Sequence, residues 1–235
     1  MSKPKYLKME KESKPSVMIA MPCYDSVKVS TMMSVIKLVQ QLGKSGVAVG
    51  INTIKSPLIH QARNYLTSVF LTTEYTHLLF IDSDVEFEPE AVIRMLIAKK
   101  DVICTPYRVK SSDVTKKIYT VEIKKDAPLE TGDIIEIIGG PTGIMLIHRE
   151  VLKKIIEKFP ELKIKNSVFP QAGPDHQYYY NFFDFKFEDG YSVGEDVSFC
   201  HLVGKAGFKL YANTASPTKH HGSYAWSGTF KEDMI

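Results

Sequence analysis

Asp82 and Asp84 stand one residue apart, directly after the apolar run Leu78-Leu79-Phe80-Ile81. A run of that length, bounded by polar residues, reads as a buried strand of a parallel sheet. Its end then lies at the carboxyl edge of the sheet, where open α/β folds bind their ligands. Two carboxylates there repel each other and are costly to desolvate unless a cation neutralises them. Hard divalent cations take oxygen ligands, and Mg²⁺ or Mn²⁺ is usually held by one or two carboxylates plus substrate phosphates. Asp82-Ser83-Asp84 therefore predicts a cation–diphosphate site at the end of a central strand.

Such a site needs a frame of strands and helices to position it. Apolar patterning predicts strands at Val17–Met21, Val47–Ile54, Leu78–Ile81 and Val102–Thr105, separated by helices at Ser26–Leu42, Leu58–Leu71 and Pro89–Lys99. This βαβαβαβ order implies a mainly parallel sheet flanked by helices. The second half is less regular and carries a smaller antiparallel part. Strands are expected at Ile118–Ile123, Ile134–Ile138 and Ile144–Ile147, and helices at Glu150–Phe159 and within Ser192–Gly204. Pro170–Asp189 reads as an aromatic loop, and the chain ends in a Gly/Ser/aromatic tail.

The 235 residues, 44% apolar and 24% charged, suit one α/β domain over residues 16–235. Residues 1–15, rich in Lys, Glu, Ser and Pro, predict a disordered tail. A net charge of +3 with scattered basic residues argues against a nucleic-acid partner. Cys23, Cys104 and Cys200 show neither zinc spacing nor a disulfide framework, which favours a reducing setting. No signal peptide precedes Val17, and no apolar run approaches the roughly 20 residues a membrane span needs. The expected location is the cytoplasm.

Several segments, in order, resemble nucleotide-sugar glycosyltransferases of the GT-A (Rossmann-like) fold, especially the family 2-like group. Met18-Ile19-Ala20-Met21-Pro22-Cys23-Tyr24-Asp25 resembles that family's first strand and nucleotide loop, and Gln61-Ala62-Arg63-Asn64 its Ala-Arg-Asn helix. Asp82-Ser83-Asp84 is similar to its Asp-x-Asp motif. Gly139-Gly140-Pro141-Thr142-Gly143 with His148-Arg149 resembles the segment lining donor sugar and acceptor. Gly194-Glu195-Asp196 looks like its acidic motif, and His220-His221-Gly222 like its late metal-site histidine. The resemblance spans roughly residues 16–228, with 16–110 as the nucleotide half and 111–235 as the acceptor half. The His220-x-Gly222-Ser223-Tyr224 ending is similar to small stand-alone members from phages and large DNA viruses, whose setting would be the host cytoplasm.

The resemblance implies a role for each residue, and each role has a plainer competitor. Asp84 would ligate the cation, and Asp82 the ribose or a metal-bound water; otherwise they are strand-end residues, one capping a helix. His220, rather than His221, would complete the metal site, because neighbours in an extended segment point apart. An imidazole ligand favours Mn²⁺ over Mg²⁺. Asp196 would take the acceptor hydroxyl's proton in an inverting transfer, with Glu195 orienting acceptor or donor groups. As plain acids, both would only suit the dipole of a helix start. Pro22, Tyr24 and Asp25 would hold a uracil-type base, Ser83 would line the same site, and Arg63 would pair with Asp82 or reach the nucleotide. Gly140 would allow close approach of a sugar, though a tight turn also explains it. Tyr178 to Phe183 would form either an acceptor wall or core packing. The implied activity is hexosyl transfer from a UDP-sugar-like donor to a glycan, protein or lipid-linked hydroxyl.

Two enzyme classes fit less well. Phosphatases of the haloacid-dehalogenase type open their domain with Asp-x-Asp, whereas here earlier strands precede it. A sugar nucleotidyltransferase would carry a Gly-rich basic loop after its first strand, and Met21-Pro22-Cys23-Tyr24-Asp25 is not one. A retaining transferase or a non-catalytic binding module on the same scaffold stays open.

Overall fold

The apolar runs at Val17–Met21, Leu78–Ile81 and Val102–Cys104 form strands buried on both faces, whereas the run at Val47–Ile54 forms a largely exposed edge strand. In the computed structural model, which describes residues 14–124, 132–165, 176–188 and 190–234, the first half follows the expected alternation. Strand β1 (Ser16–Cys23) leads to helix α1 (Val29–Lys44), then β2 (Ala48–Lys55), α2 (Ile59–Leu71) and β3 (His77–Ile81). Next come β4 (Val85–Phe87), α3 (Glu90–Ile97) and β5 (Val102–Cys104). The second half adds β6 (Ile134–Ile137), β7 (Ile144–His148), α4 (Arg149–Lys158), β8 (Lys186–Glu188) and β9 (Tyr191–Val193). It closes with α5 (Glu195–Ala206), β10 (Leu210–Asn213), β11 (Thr218–His221), β12 (Ala225–Gly228) and the short α6 (Phe230–Met234).

The central sheet has the order β2-β1-β3-β7-β5-β10-β6. β1, β2, β3, β5 and β10 run one way, and β6 and β7 run against them. This is the expected mainly parallel α/β sheet, with β12-β11-β4 as a smaller antiparallel sheet beside it.

Alternation of side chains divides the core between the two faces. Met18, Ala20, Leu78, Phe80, Met145 and Ile147 point to one cluster, while Val17, Ile19, Leu79, Ile81, Ile144 and Leu146 point to the other. α2, α4 and α5 cover the first face, and α1 and α3 the second. The covering stripe of α1 is Val35, Leu38 and Leu42, at helical spacing. Burying one such large side chain contributes roughly 1.5–3 kcal/mol, so a fully buried Phe80 is a substantial anchor for the strand carrying Asp82.

Several expectations need correction. Ile118–Ile123 forms no strand; Tyr119 and Glu122 make only isolated bridges, to Arg108 and Gly139. Tyr119, Val121 and Ile123 pack on the core instead, and that packing produces their apolar alternation. The tail is the β11–β12 hairpin plus α6, held by pairing of β11 with β4. α1 begins at Val29 rather than Ser26, because Lys28 N–H donates to Ser83 O at 2.8 Å and keeps the preceding residues as a loop. Residues 1–13 of the expected N-terminal tail, and the first part of the aromatic loop, lie outside the described residues. Within the remainder Tyr179, Phe182 and Phe183 are buried and Phe183 stacks on Phe199 at 4.4 Å, whereas Phe185 and Phe187 are exposed, the latter in β8. Those three rings cannot form an acceptor wall.

Candidate functional site

Because β1, β3 and β5 are parallel, the residues that follow them emerge together at one edge. These are Tyr24 and Asp25 after β1, Asp82 to Asp84 after β3, and Thr105 to Lys110 after β5. β7 runs the other way and so begins at that edge, bringing Gly143 against Asp82: Asp82 N–H donates to Gly143 O at 2.9 Å. The amino end of α5 supplies Glu195 and Asp196, and α2 supplies Arg63.

Arg63 binds this cluster together. Its guanidinium is buried, with Nη2 donating to Asp82 Oδ1 at 2.8 Å and Nη1 to Glu195 Oε1. Burial alone would lower the pKa of Arg63. Asp82 and Glu195, with Tyr107 and Asp196 behind them, outweigh that and raise it. Tyr107 donates to the other oxygen of Asp82 at 3.3 Å. Burial first, and the Asp82 charge second, push the Tyr107 phenol well above its ordinary range, so it stays a donor. Asn64, next to Arg63, serves the frame instead. It accepts from Phe183 N–H and donates to Phe183 O, both at 2.9 Å, pinning the aromatic segment to α2.

The second aspartate faces a different set. Asp84 pairs with Lys110 through Oδ2 and lies 3.5 Å from His220 Nε2 through Oδ1. Burial pushes the Asp84 carboxyl up, but His220 and Lys110 outweigh it and hold it at about 2. His220 reaches Asp84 because β11 pairs with β4, the strand that leaves Asp84. Its Nδ1 lies 2.9 Å from Arg108 O, and a carbonyl only accepts, so Nδ1 carries a proton and Nε2 is the ring nitrogen that faces Asp84. His221 points away, to Glu86 Oε2 at 2.8 Å and Ser30 Oγ at 3.1 Å. The two neighbours diverge, as an extended segment requires.

Asp84 and His220 are the carboxylate and imidazole that would hold a divalent ion at this edge. Among the described residues no group of three or more His, Cys, Asp and Glu gathers around one point. Asp82 is committed to Arg63 and Tyr107.

Other predicted residues fall into three groups. Glu195 is buried on Arg63, while Asp196 is half-buried, its Oδ1 accepting Val197 N–H at 2.8 Å. Pro22 is buried within β1; Tyr24 beyond it is 74% exposed, and Asp25 meets Lys55 at 2.5 Å. Ser83 contributes its carbonyl to the Lys28 contact. Gly140 is buried, and a Cβ there would lie 2.7 Å from Cys104 Sγ, so core packing accounts for its missing side chain. Gly143 is the glycine at the site: a Cβ would come within 2.6 Å of Asp82 Oδ2 and closer still to the Tyr107 hydroxyl. His148 ends β7 and Arg149 opens α4 at the opposite edge, where Arg149 donates to Thr73 O and Tyr75 O.

Comparisons with known proteins bear on the fold. No protein-family pattern matches the chain, and no curated protein matches it in sequence. The crystal structure of A197 from STIV is similar over 88% of this chain and 86% of that one, with 22% identity and a TM-score of 0.51. At that identity the likeness shows the fold alone. A glycosyltransferase involved in glycosylation of the major capsid of PBCV-1 (13% identity, 70% and 76% coverage, TM-score 0.36) is more distant. So is a Bacillus anthracis protein assigned as a glucose-1-phosphate thymidylyltransferase, in complex with a sucrose (14%, 88% and 89%, TM-score 0.44). Neither of these two carries an argument about function.

Tyr107 and Lys110 were not singled out from sequence. No motif marks them; the signal is their position just after β5, on the edge where the aspartates emerge. Among the described residues no helix is long and apolar enough to cross a membrane.

Proposed function

We propose that this chain is a cation-dependent glycosyltransferase that moves a sugar from a nucleoside diphosphate donor, with UDP as the expected nucleotide, to a hydroxyl acceptor. The observation that carries this reading is the convergence of Asp82, Asp84, Glu195, Asp196, Arg63 and His220 at one sheet edge from separate elements. A simple binding module has no need of a base beside the Asp82 and Asp84 pair.

Asp84 and His220 would hold Mn²⁺, or Mg²⁺, against the donor's diphosphate. When bound, the ion would stabilise the departing nucleoside diphosphate as a Lewis acid. The remaining work falls to the chain's own groups. Tyr24, exposed beyond β1, offers a face for the base, and Lys28 ties that loop to Ser83. Arg63 pairs with both Asp82 and Glu195, so both carboxylates are fixed in place. Glu195 is thereby a positioning residue, and Asp196 is the carboxylate left for the acceptor. The acceptor oxygen attacks the anomeric carbon, the bond from that carbon to the diphosphate breaks, and the hydroxyl proton passes to Asp196. Thr142 Oγ1 and Arg63 Nε, both buried without a hydrogen-bond partner among the described residues, add polar capacity at this edge.

A thermal-shift screen of nucleoside diphosphates and nucleotide sugars, with and without Mn²⁺, tests the reading. One base should raise the melting temperature in a Mn²⁺-dependent way. Silence from every nucleotide would overturn it.

A further inference from the structure

Asp84 is engaged at both oxygens: Oδ1 faces His220, and Oδ2 pairs with the Lys110 ammonium. Lys110 is carried on the segment after β5, and its stem runs past the β11–β12 turn, where a Cβ at Gly222 would lie 3.4 Å from Lys110 Cδ. The ammonium therefore sits in the angle between Asp84 and the hairpin bearing His220. It is a positive charge on the carboxylate that a divalent cation would need.

We infer that Lys110 is an internal counter-ion that competes with the divalent cation for Asp84 and is handed over to the diphosphate when the donor binds. This rests on the reading of Asp84 and His220 as a cation site for a nucleoside diphosphate, and it assigns that site its regulation. A divalent ion at Asp84 and an ammonium on the same carboxylate repel each other at short range, where the electrostatic cost is large. A lysine ammonium on a flexible stem is also a good partner for phosphate oxygens. Diphosphate binding thus removes the competitor and supplies the cation's remaining ligands in one event. Cation and nucleotide then bind cooperatively, and the cation alone binds weakly. Because coupling is reciprocal, each ligand strengthens the other by the same factor.

The test is a titration cycle. Mn²⁺ binding is measured by electron paramagnetic resonance with and without UDP, and UDP binding by calorimetry with and without Mn²⁺. Wild type, K110M, K110R and D84A are compared. In K110M, Mn²⁺ alone should bind more tightly, and the coupling factor should fall by about tenfold, within the usual range of allosteric coupling. K110R, which keeps the charge, should retain coupling. Wild-type coupling in K110M, or equal loss in K110R and K110M, overturns the role of Lys110. Mn²⁺ binding that is lost in D84A leaves the cation site itself standing in either case. UDP binding that is indifferent to Mn²⁺ in the wild type overturns both.

Discussion

Arg63 and Glu195, 132 positions apart in the chain, form a buried ion pair, and the same guanidinium holds Asp82. One side chain on α2 thereby fixes the end of β3 to the start of α5. Removing it leaves two mostly buried carboxylates unpaired, the situation in which a broken ion pair is most costly. Arg63→Leu should destabilise the protein by about 3–5 kcal/mol, measured by urea unfolding. Arg63→Lys should fall between, because one ammonium cannot reproduce a forked pairing. A loss under about 1 kcal/mol for Arg63→Leu would contradict the arrangement.

Gly143 and Gly204 make opposite predictions for the same change. A Cβ at Gly143 meets Asp82 and the Tyr107 hydroxyl, whereas at Gly204, within α5, nothing lies within 4 Å. Gly143→Ala should cost about 1–3 kcal/mol and weaken nucleotide binding by disturbing Asp82. Gly204→Ala should be neutral or stabilise by about 0.5–1 kcal/mol through helix propensity. Thermal unfolding of the two variants separates them.

The frame was legible where strands are buried on both faces. Leu78 to Ile81 and Val17 to Met21 are apolar at every position because helices cover both sides of the sheet. β4, β11 and β12 were not legible. Thr218-Lys219-His220-His221 has no apolar pattern, and its extended form comes from pairing with Val85 to Phe87, far away in sequence. At the site, residues in compact motifs could be named in advance. Gly140 and Gly143 look alike in sequence, and only the packing of Cys104 under one and Asp82 under the other tells them apart.

His77 predicts how stability depends on pH. It faces His148 across β3 and β7 at a ring distance of 4.9 Å. Burial, with His148 second, lowers it from 6.5 to about 4. As pH falls below 6.5 the unfolded chain takes up this proton and the folded protein does not. Stability from this group is therefore present above pH 6.5 and is lost as pH falls toward about 4. His77→Gln should flatten the unfolding free energy across that window; an unchanged slope would count against it.

Asp196→Asn should spare donor binding while lowering turnover by about 10²–10⁴, the usual contribution of a positioned base. Nucleotide affinity by calorimetry and transfer rate on a responsive acceptor are the two readouts. Normal transfer by this variant would exclude Asp196 as the proton acceptor.

Asp84 carries the central claim, and calorimetric titration of UDP into wild type and Asp84→Ala, with and without Mn²⁺, tests it most directly. The wild type should bind UDP more tightly with Mn²⁺ present, and Asp84→Ala should lose that dependence. Undiminished Mn²⁺-dependent binding in the variant would contradict the assignment of Asp84 as the residue that holds the cation to the diphosphate.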